Sequence, residues 1–109
     1  MDMQELQDTI EGMKIRPVHP GEVLADVLED IEISQTAFAE MLGVSRRTIN
    51  EIVQGRRPVS VDMAIRIGQS LGNGPQLWLN LQQTVDIWDA FQSNEEEYKK
   101  LSKIPELAY

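Results

Sequence analysis

Five side chains able to read a nucleic-acid base crowd into one short stretch of this sequence: Arg46, Arg47, Asn50, Glu51 and Gln54. At 100° per residue, a helix over 46–54 gathers them in one arc, with Thr48, Ile49, Ile52 and Val53 opposite. An arginine can span guanine O6 and N7, an asparagine or glutamine can span adenine N6 and N7, and a glutamate can accept from cytosine N4. The N-terminal half of a reading helix meets the bases, so Arg46, Arg47 and Asn50 stand foremost, with Glu51 and Gln54 behind them. Ser45 and Thr48 suit a helix cap or a phosphate contact. Arg56 and Arg57, just after Gly55, could clamp the sugar-phosphate backbone. In isolation this arc would be an ordinary solvated helix face, and the neighbouring elements decide between the two.

A reading helix has to be held by a second helix that crosses it, and the sequence supplies one. Ser34 can cap a helix whose Ala37, Phe38, Met41 and Leu42 face inward and whose end is set by Gly43. Ser45 caps the next helix, Arg46 to Gln54, which closes at Gly55. Counting from Gln35, small Ala39 falls where the two helices cross, Gly43 takes the tight turn, and Ile49 and Ile52 anchor the second helix. These are the parts of a helix-turn-helix.

The rest of the chain frames that pair. Asp2 and Glu5 have capping spacing ahead of Met3, Leu6, Ile10 and Met13, which predicts a short amphipathic helix at the start. The run from Arg16 to Pro20 is extended by its prolines, and Pro20 opens a helix with Val23, Leu24, Val27, Leu28 and Ile31 on one face. Arg57-Pro58-Val59 links to a helix capped by Ser60, with Met63, Ala64, Ile67 and Leu71 inward and Gly72 at its end. Gly74-Pro75 opens a last long helix with the stripe Leu77, Trp78, Leu81, Val85, Trp88 and Phe91. Leu79 and Ile87 fall off that stripe as surplus apolar surface. Favourable Glu95–Lys99 and Glu96–Lys100 pairs predict a solvated helical turn before Pro105. No strand alternation is visible. The expected fold is all-α: a compact five-helix, repressor-like helix-turn-helix domain over 14–92, an N-terminal amphipathic extension over 1–13, and a C-terminal helical turn and tail over 93–109.

Charge distribution supports the same site. The 109 residues carry 10 basic and 18 acidic side chains, a net charge of -8 that argues at first against a polyanionic partner. Yet Met1 to Ile33 holds 2 basic and 9 acidic residues, Ser34 to Asn80 holds 5 and 3, and Leu81 to Tyr109 holds 3 and 6. Only the middle third is net basic, and four of its five basic residues are Arg46, Arg47, Arg56 and Arg57. Without Cys there is no thiol nucleophile, disulfide scaffold or Cys-ligated zinc, and the single His19 lacks the partners of a catalytic centre. The run Glu95 to Glu97 lacks the spaced ligands of a calcium loop. No enzyme activity, cofactor or metal is expected. With no membrane-length apolar run and no secretory leader, a cytoplasmic protein is expected.

Three stretches together carry a family resemblance. The segment Met13-Lys14-Ile15-Arg16-Pro17-Val18-His19-Pro20-Gly21-Glu22-Val23-Leu24, the helix-turn-helix, and Gly72-Asn73-Gly74-Pro75-Gln76-Leu77-Trp78-Leu79-Asn80-Leu81-Gln82 resemble the HigA antitoxins of toxin-antitoxin systems. The likeness runs from about Met13 to Trp88, so the first twelve residues lie outside it and Met13 is a second candidate start. It implies a dimer that binds double-stranded operator DNA, represses its own operon and neutralises a HigB-type mRNA endonuclease. It also implies that the recognition helix spans Ser45 to Gln54 and that Trp78 is packing. The family often has Ser or Thr before the proline of the last helix, and Gly74 departs from that, which weakens a cap there.

Two surfaces are expected to serve partners. Leu79 and Ile87, with neighbouring Trp88 and Phe91, make the last helix the expected dimer interface. The acidic N-terminal extension is expected to meet the basic toxin, with Met3, Leu6 and Ile10 as an apolar stripe and Glu5, Asp8 and Glu11 as complementary charge. The competing use of that stripe is packing on the chain's own core. A stand-alone helix-turn-helix repressor without a toxin remains the alternative function.

Overall fold

The computed structural model describes residues 2–107, without the side chains of Met3, Leu6, Gln7, Glu11 and Leu107. Among the described residues six α-helices follow one another: α1 Met3–Gly12, α2 Pro20–Asp30, α3 Gln35–Leu42, α4 Arg46–Val53, α5 Val61–Leu71 and α6 Pro75–Lys99. A short 3-10 turn, Pro105–Leu107, comes last. No strand occurs among the described residues.

The helix ends sit where local chemistry dictates. Asp2, Ser34, Ser45 and Ser60 each accept a hydrogen bond from the amide three residues on, at 2.8, 3.0, 3.1 and 3.2 Å. Gly43 closes α3 with φ 71° and ψ 32°, where a β-carbon would crowd the backbone, and Val44 N–H returns to Ala39 C=O at 3.0 Å. Gly74 offers α6 no side-chain cap, as its departure from Ser or Thr implies. Helix α4 ends one residue earlier than the spacing predicts, with Gln54 as its C-cap. Helix α6 runs past residue 92, where the sequence pattern placed a boundary, and its backbone leaves helical geometry only at Asn94.

One core joins α2 to α6. Leu24, Leu28, Phe38, Ala39, Leu42, Ile49, Ile52, Val59, Met63, Ala64, Ile67 and Trp78 form a single buried cluster. Trp78 is fully enclosed and its indole N–H donates to Asn73 Oδ1 at 3.1 Å, so its polar atom is satisfied. Three expectations about facing fail. Helix α3 buries Phe38, Ala39 and Leu42 and leaves Ala37 exposed and Met41 63% exposed, because a helix of two turns wedged against α4 and α5 has only one covered side. Ile31, at the outer end of α2, is exposed too. On α6 the buried arc is centred on Trp78, Gln82 and Val85, so Leu77 turns outward at 43% exposure while Leu79 packs on the core. Gln82 earns that place chemically: its Oε1 accepts from Val59 N–H at 2.9 Å and its amide donates to Asp86 at 2.9 Å.

The N-terminal segment is fastened to α6. Trp88 Nε1 donates to Met13 C=O at 2.9 Å, and Arg16 forms two 2.9 Å bonds to the Asp89 carboxylate. Helix α1 packs against α6, and Ile10 is buried at 2% exposure. A further junction seats α2 on the end of α4. A β-carbon at Gly21 would lie 1.8 Å from Ile52 O, so only glycine lets the two backbones approach this closely. Beside it, the buried His19 accepts the Gly21 N–H on Nδ1 at 2.9 Å and caps α2. Burial first, then the nearby Arg16 charge, hold the His19 pKa below its ordinary 6.5, against the opposing pull of Glu22, Asp86 and Asp89.

Two outcomes follow from this junction. Gly21→Ala must push α2 off α4, at a cost of about 1 to 3 kcal/mol, and a chain of this size loses roughly 4 to 8 °C of Tm for each kcal/mol; a melting curve matching the parent would show that the approach is not close. As pH falls below about 6.5, the unfolded chain takes a proton that folded His19 refuses. Stability present above that pH is therefore lost on acidification. The urea midpoint is expected to drop between pH 7.5 and 5.5 in the parent and to stay flat in His19→Asn, which keeps a capping acceptor but does not titrate.

Candidate nucleic-acid interface

Helix α4 has two opposed faces. Ile49 and Ile52 are fully buried, while Arg46, Arg47 and Gln54 lie in solvent and Asn50 and Glu51 are half-buried at the edge. The structure thus brings together the five residues whose types suit base reading. Ser45 and Thr48 are tied to each other, Oγ to Oγ1 at 2.9 Å, and Thr48 N–H closes on Ser45 Oγ, so both hydroxyls serve the start of the helix. Arg56 and Arg57 are exposed on the loop beyond α4, and their amides return to Glu51 C=O at 2.9 and 3.2 Å. That fixes the loop backbone against the last turn of α4.

Several contacts on this face were not visible from residue type alone. Asn50 Nδ2 donates to Gln35 Oε1 at 3.2 Å, which ties the foremost amide of α4 to the first residue of α3. Gln35 marks the start of the helix-turn-helix spacing, so its position was a signal although its bond was not. Glu51 accepts from Arg47 Nε at 2.7 Å on one oxygen and from Arg57 Nε at 3.2 Å on the other. The hydrogen bond from Arg47, then the charge of Arg57, keep its carboxyl below the usual carboxylate range despite partial burial. Both carboxylate oxygens thus hold an arginine, and Glu51 is not the unencumbered cytosine acceptor its type suggested. Arg66, the fifth basic residue of the middle third, faces elsewhere: it donates to Leu42 C=O at 2.7 Å and to Asp62 at 2.8 Å, closing the end of α3.

The expected partner surfaces are partly spoken for. Leu79 packs on the core, Trp88 donates to Met13 C=O, and Phe91 meets Tyr98 edge-on with centroids 5.4 Å apart, leaving Ile87 half-buried on α6. In α1, Glu5 and Asp8 are exposed, whereas Ile10 is buried within its own chain, so it does not extend an open apolar stripe. The side chains of Met3, Leu6 and Glu11 lie outside the described residues. No helix among the described residues is long and apolar enough to cross a membrane.

The capped helices, the left-handed glycine between α3 and α4, and the polar outer face define a helix-turn-helix protein, and the helix-turn-helix family pattern matches residues 24–78. Antitoxin HigA-1 of Vibrio cholerae is 40% identical over 87 residues, covering 79% of this chain and 82% of that protein. Among solved structures, Pseudomonas aeruginosa antitoxin HigA with the higBA promoter is 38% identical with a TM-score of 0.77, covering 82% of this chain and 99% of the other. A candidate antidote protein of a plasmid maintenance system from Nostoc punctiforme is 57% identical with a TM-score of 0.73, covering 83% and 99%. The chain belongs to the HigA antitoxin family.

Proposed function

We propose that this protein is the antitoxin of a toxin-antitoxin pair, which binds operator DNA as a dimer, represses its own operon and neutralises a HigB-type endonuclease. The observation that carries the reading is the α4 face, where Arg46, Arg47 and Gln54 stand in solvent with Asn50 at their edge, on a helix anchored from the other side by the fully buried Ile49 and Ile52. Its relative from Pseudomonas aeruginosa was solved with promoter DNA, which supports the same use of the fold here. Arg46, Arg47, Asn50 and Gln54 read bases from the major groove, and Arg56 and Arg57 hold phosphates. Ser45 and Thr48 add phosphate contacts at most through the helix start they already cap. The chain works by binding rather than by catalysis. Leu79 and Ile87 lie toward one side of α6 and contribute to the dimer interface with Trp88 and Phe91, the latter two from within contacts they already make.

The N-terminal extension meets the toxin. Exposed Glu5 and Asp8 belong to the most acidic third of the chain, and a ribosome-dependent RNase has to carry positive charge for its own substrate. Met3, Leu6 and Glu11, whose side chains lie outside the described residues, are the further toxin contacts of this reading, while Ile10 is buried where α1 packs on α6.

Operator binding tests the first part. Arg47→Ala and Asn50→Ala are each expected to cost about 1 to 3 kcal/mol on the operator at fixed salt, roughly 5- to 150-fold in Kd, with folding intact. Parent-like affinity in both would remove the face from consideration. Deleting residues 1–12 tests the second part. The truncated protein should bind DNA as before yet fail to restore growth when the toxin is co-expressed; full rescue would move the toxin contact onto the helical domain and leave the acidic extension without this role.

A further inference from the structure

The acidic member of the α4 face is enclosed by its own cations. Glu51 Oε1 accepts from Arg47 Nε at 2.7 Å, while Oε2 accepts from Arg57 Nε at 3.2 Å and lies 3.1 Å from Arg57 Nη2. The Glu51 side chain is 22% exposed and that of Arg47 is 87% exposed, so the carboxylate lies beneath and the guanidinium above it. The contact uses Nε, the nitrogen nearest the stem. The two terminal nitrogens of Arg47 therefore make the outward fork, which is the geometry that spans guanine O6 and N7.

We propose that Glu51 is a specificity-determining positioning residue: it presents the Arg47 fork to a guanine and withholds the charge of Arg47 from the phosphates of unrelated DNA. The proposal rests on the DNA-binding reading above. An unrestrained arginine can swing to the nearest phosphate on any sequence and gain affinity by counterion release. Here that swing forfeits a short charge-assisted bond, whereas a guanine in the right place is met without breaking it. Four arginines, Arg46, Arg47, Arg56 and Arg57, against one Glu51 leave the face with a net charge of 4 - 1 = +3. In a chain of net charge -8, sequence-independent attraction is kept small and the operator contact decides binding. The same carboxylate links the base-reading helix to the phosphate-holding loop, so that Arg47 and Arg57 are set in register by one residue.

The test begins with selection of a best site from a pool of random duplexes by the parent protein. A parent that selects no site defeats the DNA-binding reading itself, whatever Glu51 does. Given a site, Kd is measured on it and on a scrambled duplex of equal composition for the parent, Glu51→Gln, Arg47→Ala and the double variant, across a salt series. Glu51→Gln is expected to bind scrambled DNA about threefold more tightly and to steepen its log Kd against log salt slope by up to about 0.9, one added phosphate contact. The ratio of selected to scrambled affinity should fall about tenfold, as for loss of a bidentate pair. In the Arg47→Ala background the Glu51→Gln change should leave that ratio within about twofold, because the effect runs through Arg47. Two results would overturn the proposal: an unchanged ratio, as equal loss on both duplexes would give, or a full further loss of ratio without Arg47, which would make Glu51 a base reader in its own right.

Discussion

An eight-residue helix has no stability of its own in water, and α4 is such a helix. Its conformation is imposed by what it touches. Ile49 and Ile52, both fully buried, hold its inner side; Ser45 fixes its start; Ile52 C=O meets the bare α-carbon of Gly21 at its far end. Asn50 is tied to Gln35 and the loop beyond is tied to Glu51 C=O. The outer face is thereby presented rigidly although few of its own atoms contribute to the core. That is what a reading surface requires, since base discrimination depends on side chains whose starting points do not shift.

Charge is organised by the same economy. The chain as a whole is repelled by a polyanion, so the basic face has to act at short range, and screening at physiological salt confines the remaining acidic residues to their own neighbourhoods. Among the described ion pairs, Arg16 meets Asp89, Arg66 meets Asp62 and Lys99 meets Glu95, all serving helix ends or helix surfaces. Arg46 and Arg56 carry no such pairing in the described contacts, and Arg47 and Arg57 share one carboxylate. Cations are thus concentrated, with partial restraint, on the α4 side.

The caps and turn glycines were legible from sequence because their chemistry is local: a serine three residues before an amide, or a glycine where φ is positive, needs no distant partner. The expected all-helical class, the two-helix unit and the buried pair Ile49 and Ile52 rest on that grammar. Facing was legible only where a helix is broadly covered. Met41 and Leu77 read as core because apolar residues step by three and four, but the exposed side of α3 and the buried Gln82 of α6 depend on which neighbours arrive. The site shows the same division. Residue types identified the α4 arc, and the Arg47–Glu51 pair has helical spacing, whereas the Arg57 and Gln35 contacts arise only once the loop and α3 are in place.

The N-terminal extension illustrates how one helix can serve two demands without conflict. Its attachment is concentrated near the junction with the domain, where Trp88 holds Met13 C=O and Asp89 holds Arg16, and Ile10 follows one helical turn earlier. Beyond that point Gln4, Glu5, Asp8 and Thr9 face solvent, and Gln4 Nε2 donates to Asp8 Oδ1 at 2.8 Å. The latch residues Met13 and Arg16 lie outside the first twelve residues. Met13 is also the C-cap of α1, its N–H returning to Ile10 C=O at 3.2 Å, whereas Arg16 reaches Asp89 from the extended run beyond it, and α6 in turn seats Trp78 in the core that supports α4. Changes confined to the exposed side of α1, at Glu5 or Asp8, therefore alter charge on the extension and leave the packing beneath α4 as it was.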